Sequence, residues 1–317
     1  MKKEFEILVI GELNVDLILN NIQTYPRIGA EILAQNMELT LGSSSAIFAS
    51  NICVLDTRVA FCGKIGQDSF GNLVLDTLNK RGVNTKWIIS SKDYATGASI
   101  ILNYANDRAI ITYPGAMEHL SCDDISDEAL QSARHIHISS VFLQPAIKNC
   151  LKNLLLRAKK FGLTTSVDPQ WDPKENWDIN LKEILPLIDV FLPNESEILA
   201  FTRETVVIRA LKKLAPYGNY IVAKLGEKGS AGIFDNKLIE MPGFKNNKLI
   251  DAIGAGDSFN AGFIKGFIQN KSPEECLKLG NLMGAINTIA PGGTGAFTSL
   301  ENVKQVAKQK FNYNLSL

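Results

Sequence analysis

Short, nearly continuous apolar runs recur along this chain, and each is too brief to be a helix. They are FEILVIG at 5–11, RVAFCGKIG at 58–66, HIHIS at 135–139, LTTSVD at 163–168, VFLPN at 190–194 and YIVAKLG at 220–226. Runs of this kind are strands buried on both faces, which happens when helices cover both sides of a parallel sheet. The intervening segments have helical spacing. AIKNCLKNLLLRAKKFG at 146–162 is the clearest, with Gly162 as its stop, and the tail from Asp257 onward is mostly helical. The alternation predicts an α/β, doubly wound, mostly parallel sheet with helices on both faces.

The chain's 317 residues are 45% hydrophobic and 21% charged, enough for a large domain with a smaller one beside it. Thirty-three basic residues balance thirty-three acidic ones, so no overall field favours nucleic acid or a membrane surface. MKKEFEILVIGEL lacks the long apolar region of a signal peptide, and no apolar run approaches a membrane span. Cys53, Cys62, Cys122, Cys150 and Cys276 are widely spaced and odd in number, which argues against a disulfide framework or a zinc site. The compartment expected is the reducing cytoplasm. His119, His135 and His137 make no metal set; the last two alternate along one strand and are expected to be packed. Trp87, Trp171 and Trp177 are expected in the core or at its edge, with Trp171 close to the Asp168 loop.

Two places break the alternation. Residues 15–41 contain DLILN, EILAQ and ELTLG, which resemble antiparallel strands, and residues 97–114 read as a hairpin around YANDRA. Neither can make its own core. Together they predict a small antiparallel sheet, a lid over a main domain of residues 1–14, 42–96 and 115–317. The alternative is a pair of decorative loops. A lid sheet exposes an edge, so a homodimer through the lid is a further expectation.

DAIGAGDSF at 251–259 carries the chemistry. Gly254 and Gly256 let a ligand approach the backbone, and the helix that follows presents unpaired N–H groups and a positive dipole end suited to phosphate. A carboxylate at Asp257 would repel phosphate in a simple anion cradle. It makes sense as the base that takes a proton from an attacking hydroxyl while the cradle stabilises the transferring phosphoryl group. The alternative is an N-cap aspartate in an ordinary tight turn.

With its neighbours, this segment resembles the ribokinase-like (PfkB) carbohydrate kinase family. DAIGAGDSFNAGF resembles the family's carboxy-terminal signature. CGKIGQDSFG at 62–71, GELNVDLIL at 11–19, VDPQWD at 167–172, PNESEI at 193–198 and KLGEKGS at 224–230 follow in the family's order, so the resemblance spans essentially the whole chain. It implies a phosphotransferase that uses ATP and Mg²⁺ on a small sugar. Asp257 is then the general base, with Gly254, Ala255 and Gly256 as the anion hole. Asp16, Gly42, Ser43, Ile47 and Asp168 lie at the acceptor-side motifs. Asn194, Lys224, Gly226, Gly229 and Asn281 lie on the nucleotide side. Glu197 is linked to Mg²⁺, and Asp251 orders the motif loop beside a place for a monovalent cation such as K⁺. For Asn194 and Glu197 the alternative is a helix start with Asn194 as its cap. APGGTGAF at 290–297 resembles the closing loop.

The sequence also departs from the family. In LGSSSAIFASN, Ser43 replaces a glycine and Ile47 an asparagine; Ile47 either removes a sugar contact or packs inside the helix. Asp168 is followed by Gln170 and Asp172 where the family often has asparagine and arginine. The expected function is a sugar kinase, with a nucleoside kinase or a non-catalytic sugar sensor as alternatives. VIGELN lacks the glycine turn of a dinucleotide-binding fold, which argues against a dehydrogenase.

Overall fold

The computed structural model describes residues 3–104, 108–246 and 248–316. Its first seven strands are β1 (Phe5–Ile10), β2 (Asn14–Asn20), β3 (Asn36–Leu41), β4 (Val59–Gly66), β5 (Asn84–Ser91), β6 (Gly97–Asn103) and β7 (Arg108–Tyr113). Six follow: β8 (Ala133–Ser139), β9 (Thr164–Asp168), β10 (Val190–Phe191), β11 (Tyr220–Lys224), β12 (Gly229–Phe234) and β13 (Lys237–Pro242). The first five helices are α1 (Ser44–Val54), α2 (Ser69–Lys80), α3 (Asp127–Ser132), α4 (Pro145–Lys160) and α5 (Leu181–Ile184). The rest are α6 (Glu195–Thr202), α7 (Val207–Leu214), α8 (Ala255–Ile268), α9 (Pro273–Asn287) and α10 (Leu300–Phe311).

The main sheet runs β13-β12-β11-β10-β9-β8-β1-β4-β5. From β5 to β11 every pairing is parallel; β12 and β13 add antiparallel strands at one edge. The apolar runs are strands because both faces are covered. In β1, Leu8 and Ile10 pack on one side with Leu151, Leu154 and Leu155 of α4. Ile7 and Val9 pack on the other with Phe48 of α1 and Phe263 of α8. This is the doubly wound arrangement that the alternation predicts. VFLPN is strand only at Val190 and Phe191, because Pro193 cannot donate to the ladder; Asn194 and Lys224 make one further isolated bridge.

The two irregular segments join in a second sheet, β3-β2-β6-β7. The β2·β3 and β6·β7 pairs are antiparallel, and the join between β2 and β6 is parallel. EILAQ is not a strand, contrary to expectation. It has no ladder partner, and Leu33 is largely exposed in a loop that contains Pro26 and Gly29. Of the expected YANDRA turn, residues 105–107 lie outside the described residues.

The cysteine spacing needs one correction. Cys122, in the turn before α3, is joined to Cys150 on α4 by a disulfide. The chain folds back on itself there: Arg157 of α4 donates to the carbonyl oxygens of Cys122 at 2.9 Å and Ile125 at 2.7 Å. No helix among the described residues is long and apolar enough to cross a membrane.

Candidate active site

Adjacent parallel strands end side by side, and their carboxyl ends carry the polar groups. In sheet order, Lys224 ends β11, Asn194 follows β10, Asp168 ends β9, Ser139 ends β8, and Gly11 and Glu12 follow β1. Loops beyond strand carboxyl ends are the usual ligand sites of open α/β sheets. Topology therefore gathers residues spread over more than two hundred positions.

The glycine loop expected to cradle an anion closes this group. Gly254 caps α8 with φ +74°, and a Cβ there would lie 2.5 Å from Cα of Gly293. A side chain is excluded on both grounds. At Gly256 a Cβ would meet nothing nearer than Lys224 Nζ at 3.7 Å, so the lysine stands directly beside the first helical turn. Asp257 lies in that turn, 7% exposed. Burial, and then the neighbouring Asp168 carboxylate, push its pKa up to about 8, against the pull of Lys224. A carboxylate poised near neutrality suits proton abstraction.

Beneath it, the Lys224 ammonium bonds Asp168 Oδ2 at 2.5 Å, and Asn260 Nδ2 donates to the same oxygen at 2.5 Å. Burial alone would lower the Lys224 pKa; Asp168 and Glu197 outweigh that and raise it, so it stays cationic. Asp168, expected on the acceptor side, is fully buried and serves as the counter-charge of this lysine. Asn194 and Glu197 form a capping box at α6: the Glu197 amide donates to Asn194 Oδ1 at 2.9 Å, and the Asn194 amide to Glu197 Oε2 at 2.8 Å. Desolvation, then Asp168, raise the Glu197 pKa to about 7.

The residues expected on the acceptor side come from the small sheet and α1. Asp16 Oδ1 accepts from Asn14 Nδ2 at 2.9 Å, and Asn14 reaches Ser99 at 3.1 Å. Burial raises the Asp16 pKa to about 6. Gly42 lets this carboxylate come close, since a Cβ there would sit 2.3 Å from Asp16 Oδ1. Ser43 caps α1, accepting from the Ala46 amide at 2.9 Å, and donates to the Glu12 carbonyl at 2.6 Å. Ile47 is packed. It is 3% exposed, and Cβ atoms built at Gly254 and Gly293 would lie 3.2 Å and 2.3 Å from its side chain. It wedges beneath the anion loop, which is the packing alternative.

The remaining residues lie between β11 and the start of β12, on α9 and in the loop before α8. Gly226 has φ +60° and open space around it. Gly229, at φ +101°, faces the Met241 carbonyl, and Asn281 Nδ2 donates to the carbonyls of Met241 at 3.1 Å and Pro242 at 3.2 Å. Asp251 accepts from the amides of Ile253 at 2.9 Å and Gly292 at 2.8 Å, tying the motif to the closing loop. No group of three His, Cys, Asp or Glu suited to a metal occurs among the described residues.

Sequence reading missed several partners. Gln170 donates from Nε2 to both Asp168 Oδ2 and Asp257 Oδ1, at 3.1 Å each. Asn51 of α1 donates to Ser258 Oγ and the Gly293 carbonyl, each at 2.9 Å, and Ser258 bonds Asn287 at 2.9 Å. Arg81 grips Thr294 Oγ1 at 3.2 Å and the Phe297 carbonyl. Departure from the Asp-x-Asn-x-Arg pattern was the one signal for Gln170; the others had none. The two strand histidines are packed, as expected: His135 bonds Ser166 at 2.7 Å, and His137 bonds Ser166 at 2.8 Å and stacks on Phe48. Trp87 is partly buried against the core, while Trp171 stands 46% exposed and meets Trp177 edge-on.

Comparison with known proteins agrees with this geometry. The pfkB family carbohydrate kinase profile matches residues 4–299. The chain is 29% identical over 315 residues to a ribokinase of Arabidopsis thaliana, covering 95% of this chain and 80% of the relative. It is 25% identical over 278 residues to a 2-dehydro-3-deoxygluconokinase of Bacillus subtilis, covering 83% and 85%. The solved structure of Arabidopsis thaliana ribokinase complexed with ribose and ATP superposes with a TM-score of 0.82 at 24% identity, covering 96% of this chain and 99% of that one. A profile match across nearly the whole chain, on a doubly wound sheet that gathers the glycine loop and its aspartate at the strand ends, makes this protein a member of the pfkB family of carbohydrate kinases, phosphotransferases with an alcohol group as acceptor.

Proposed function

We propose that this chain transfers the γ-phosphoryl group of ATP to a hydroxyl of a small carbohydrate, with Asp257 as general base and the Gly254–Gly256 amides as anion hole. The observation that carries the reading is the position of Asp257: buried, in the first turn of α8, directly after Gly254-Ala255-Gly256 and beside Lys224. An acceptor hydroxyl held by Asp16 would present its proton to Asp257 Oδ2, the oxygen that Gln170 leaves open. As the oxygen attacks, the α8 N-terminal amides and Lys224 oppose the charge on the transferring group. Asn194 and Glu197, at the start of α6, are the residues that would accompany a nucleotide-bound Mg²⁺, whose charge would further neutralise the phosphates.

The small sheet is read as the lid. The register aligns Thr40, Asp16, Ser99 and Thr112 across it on one face, a polar rank for the acceptor. Closure would exclude water and suppress idle ATP hydrolysis. A nucleoside acceptor is the second reading; exposed Trp171, next to Gln170, offers an aromatic face on which a base could stack. The test is ATP consumption against neutral sugars, sugar acids and nucleosides, with Asp257→Asn as control. Turnover with one class and its loss in the variant support the proposal; full turnover in the variant refutes the base.

A further inference from the structure

The closing loop at 290–297 lies directly against the glycine loop that precedes Asp257. A Cβ built on Gly254 would fall 2.5 Å from Cα of Gly293, so the two backbones touch. The loop reads APGGTGAF, and Gly292 takes φ +71°. Three glycines in eight residues give such a segment little stiffness of its own, so its place depends on what ties it down. Asp251 accepts from the Gly292 amide at 2.8 Å, Asn51 donates to the Gly293 carbonyl at 2.9 Å, and Asn302 donates to the Ala296 carbonyl at 2.9 Å. Each of these makes one bond to the loop. Arg81 makes three, to Thr294 Oγ1 at 3.2 Å, to the Thr294 carbonyl at 3.3 Å and to the Phe297 carbonyl.

Arg81 stands on a rigid mount. It is the C-cap of α2, and the chain turns back there at Gly82, φ +81°, with the Gly82 and Val83 amides donating to the carbonyls of Asn79 and Leu78 at 3.0 Å each. At the other end Asp68 caps α2. It accepts from the Gly71 amide at 2.8 Å and from both the amide and the hydroxyl of Thr96, just before β6, at 2.7 Å each. A helix pinned at both ends cannot follow the loop if the loop moves. The Arg81 side chain is itself half-buried, and burial disfavours its charge; what surrounds the guanidinium in return is the oxygens of the closing loop. A planar fork of donors can hold two carbonyls and a hydroxyl at fixed angles, which a single ammonium cannot.

We infer that Arg81 is a positioning residue for phosphoryl transfer, acting through the closing loop on the Gly254–Gly256 amides. The inference rests on the kinase reading above and adds to it a residue from the far end of α2. Held by Arg81, the closing loop backs Gly254, and Gly254 begins the helix whose first amides are proposed to oppose the charge of the transferring group. Without the fork, the loop can retreat and the amides shift with it. A misplacement of about 1 Å in a group that meets the reacting atoms costs on the order of a hundredfold.

The experiment measures kcat and KM for ATP and for the best acceptor of the panel above, in the wild-type chain and in Arg81→Ala and Arg81→Lys, beside thermal unfolding. Arg81→Ala should lose on the order of a hundredfold in kcat/KM for ATP, shared between a higher KM and a lower kcat, with the KM for the acceptor unmoved. Guanidinium chloride at millimolar concentration should restore part of that activity by refilling the site. Arg81→Lys keeps a long cationic side chain at the helix end but has no fork, and should show a smaller shift of the same kind. If Arg81→Ala does not fold, Arg81→Lys carries the test alone. A role in stability only would reduce the active fraction, lowering kcat while leaving both KM values unmoved, and guanidinium would then lower activity further; that result overturns the inference. Unchanged ATP kinetics in both variants overturn it too, while wild-type turnover keeps the kinase reading standing. Failure of the wild type on every acceptor removes the kinase reading, and the inference with it.

Discussion

Gln170 reaches Asp257 from 87 positions away, its Nε2 donating to the carboxylate at 3.1 Å. The backbone of Gln170 has φ +58°, a left-handed conformation that a glutamine adopts only when its surroundings impose it. The Asp168 side chain does so, accepting from the Gln170 amide at 3.2 Å and from its Nε2 at 3.1 Å. A donor to the charged carboxylate favours ionisation, opposing the burial and the carboxylates of Asp168, Glu12 and Glu197 that raise the Asp257 pKa; Lys224 acts in the same direction as Gln170. As the proposed base, Asp257 would work ionised, so activity should rise through about pH 8 and be lost below it. Gln170→Leu removes the donor and should move this acid limb upward by about 1–2 pH units, as one hydrogen bond to a charged group is worth. The check is the pH profile of kcat/KM; an unmoved limb removes Gln170 from the positioning of the base.

Asp257→Asn keeps the shape of the side chain and the fold while deleting the proton acceptor. Turnover should fall by about 10²- to 10⁴-fold with nucleotide affinity retained, measured by steady-state kinetics beside a nucleotide titration.

The two glycines of the loop should respond differently to alanine. At Gly254 the positive φ and the 2.5 Å approach to Gly293 leave no room, so Gly254→Ala should lower stability and activity together. At Gly256 a Cβ meets only Lys224 Nζ at 3.7 Å, an ordinary contact. Gly256→Ala should therefore fold normally and raise the KM for ATP by crowding the phosphates. Thermal unfolding beside ATP kinetics separates the two effects, and equal melting temperatures for both variants would contradict this account.

Ile47→Asn restores the residue usual in the family at a position that is packed here. The new amide would be buried among apolar atoms and the Gly293 backbone, a loss of about 1–3 kcal/mol. Denaturant unfolding should show that loss, and ribose should gain nothing as a substrate. A stable variant with improved ribose kinetics would return Ile47 to the acceptor pocket.

The face of the small sheet opposite Asp16 aligns Leu39, Leu17, Ile100 and Ile111 across four strands, with Met37 and Tyr113 exposed nearby. An apolar rank of this kind suits an interaction surface, and a homodimer through the small sheet is the proposal it supports. Sedimentation should show a dimer that Ile111→Lys dissociates; a monomeric wild type would end that proposal.

Much of the fold and of the cradle is legible in the amino-acid sequence. The apolar runs mark the strands because a doubly covered sheet demands them locally, and Gly254, Gly256 and Asp257 mark the cradle because backbone access and a proton acceptor depend on residue type at adjacent positions. The strand β5 escapes a reading of local pattern because its residues are only half-buried at the sheet edge and form no apolar run. What the tertiary structure decides are relations between distant residues: Gln170 on Asp257, Glu12 under Ser44 and Ser140, Asn51 on Ser258, Cys122 joined to Cys150. It also packs Ile47 against Gly254 and Gly293 and pairs Asp168 with Lys224. A residue's type limits which bonds it can make, but the partner that claims it depends on which strand ends the topology sets side by side, and that order is not written in local spacing.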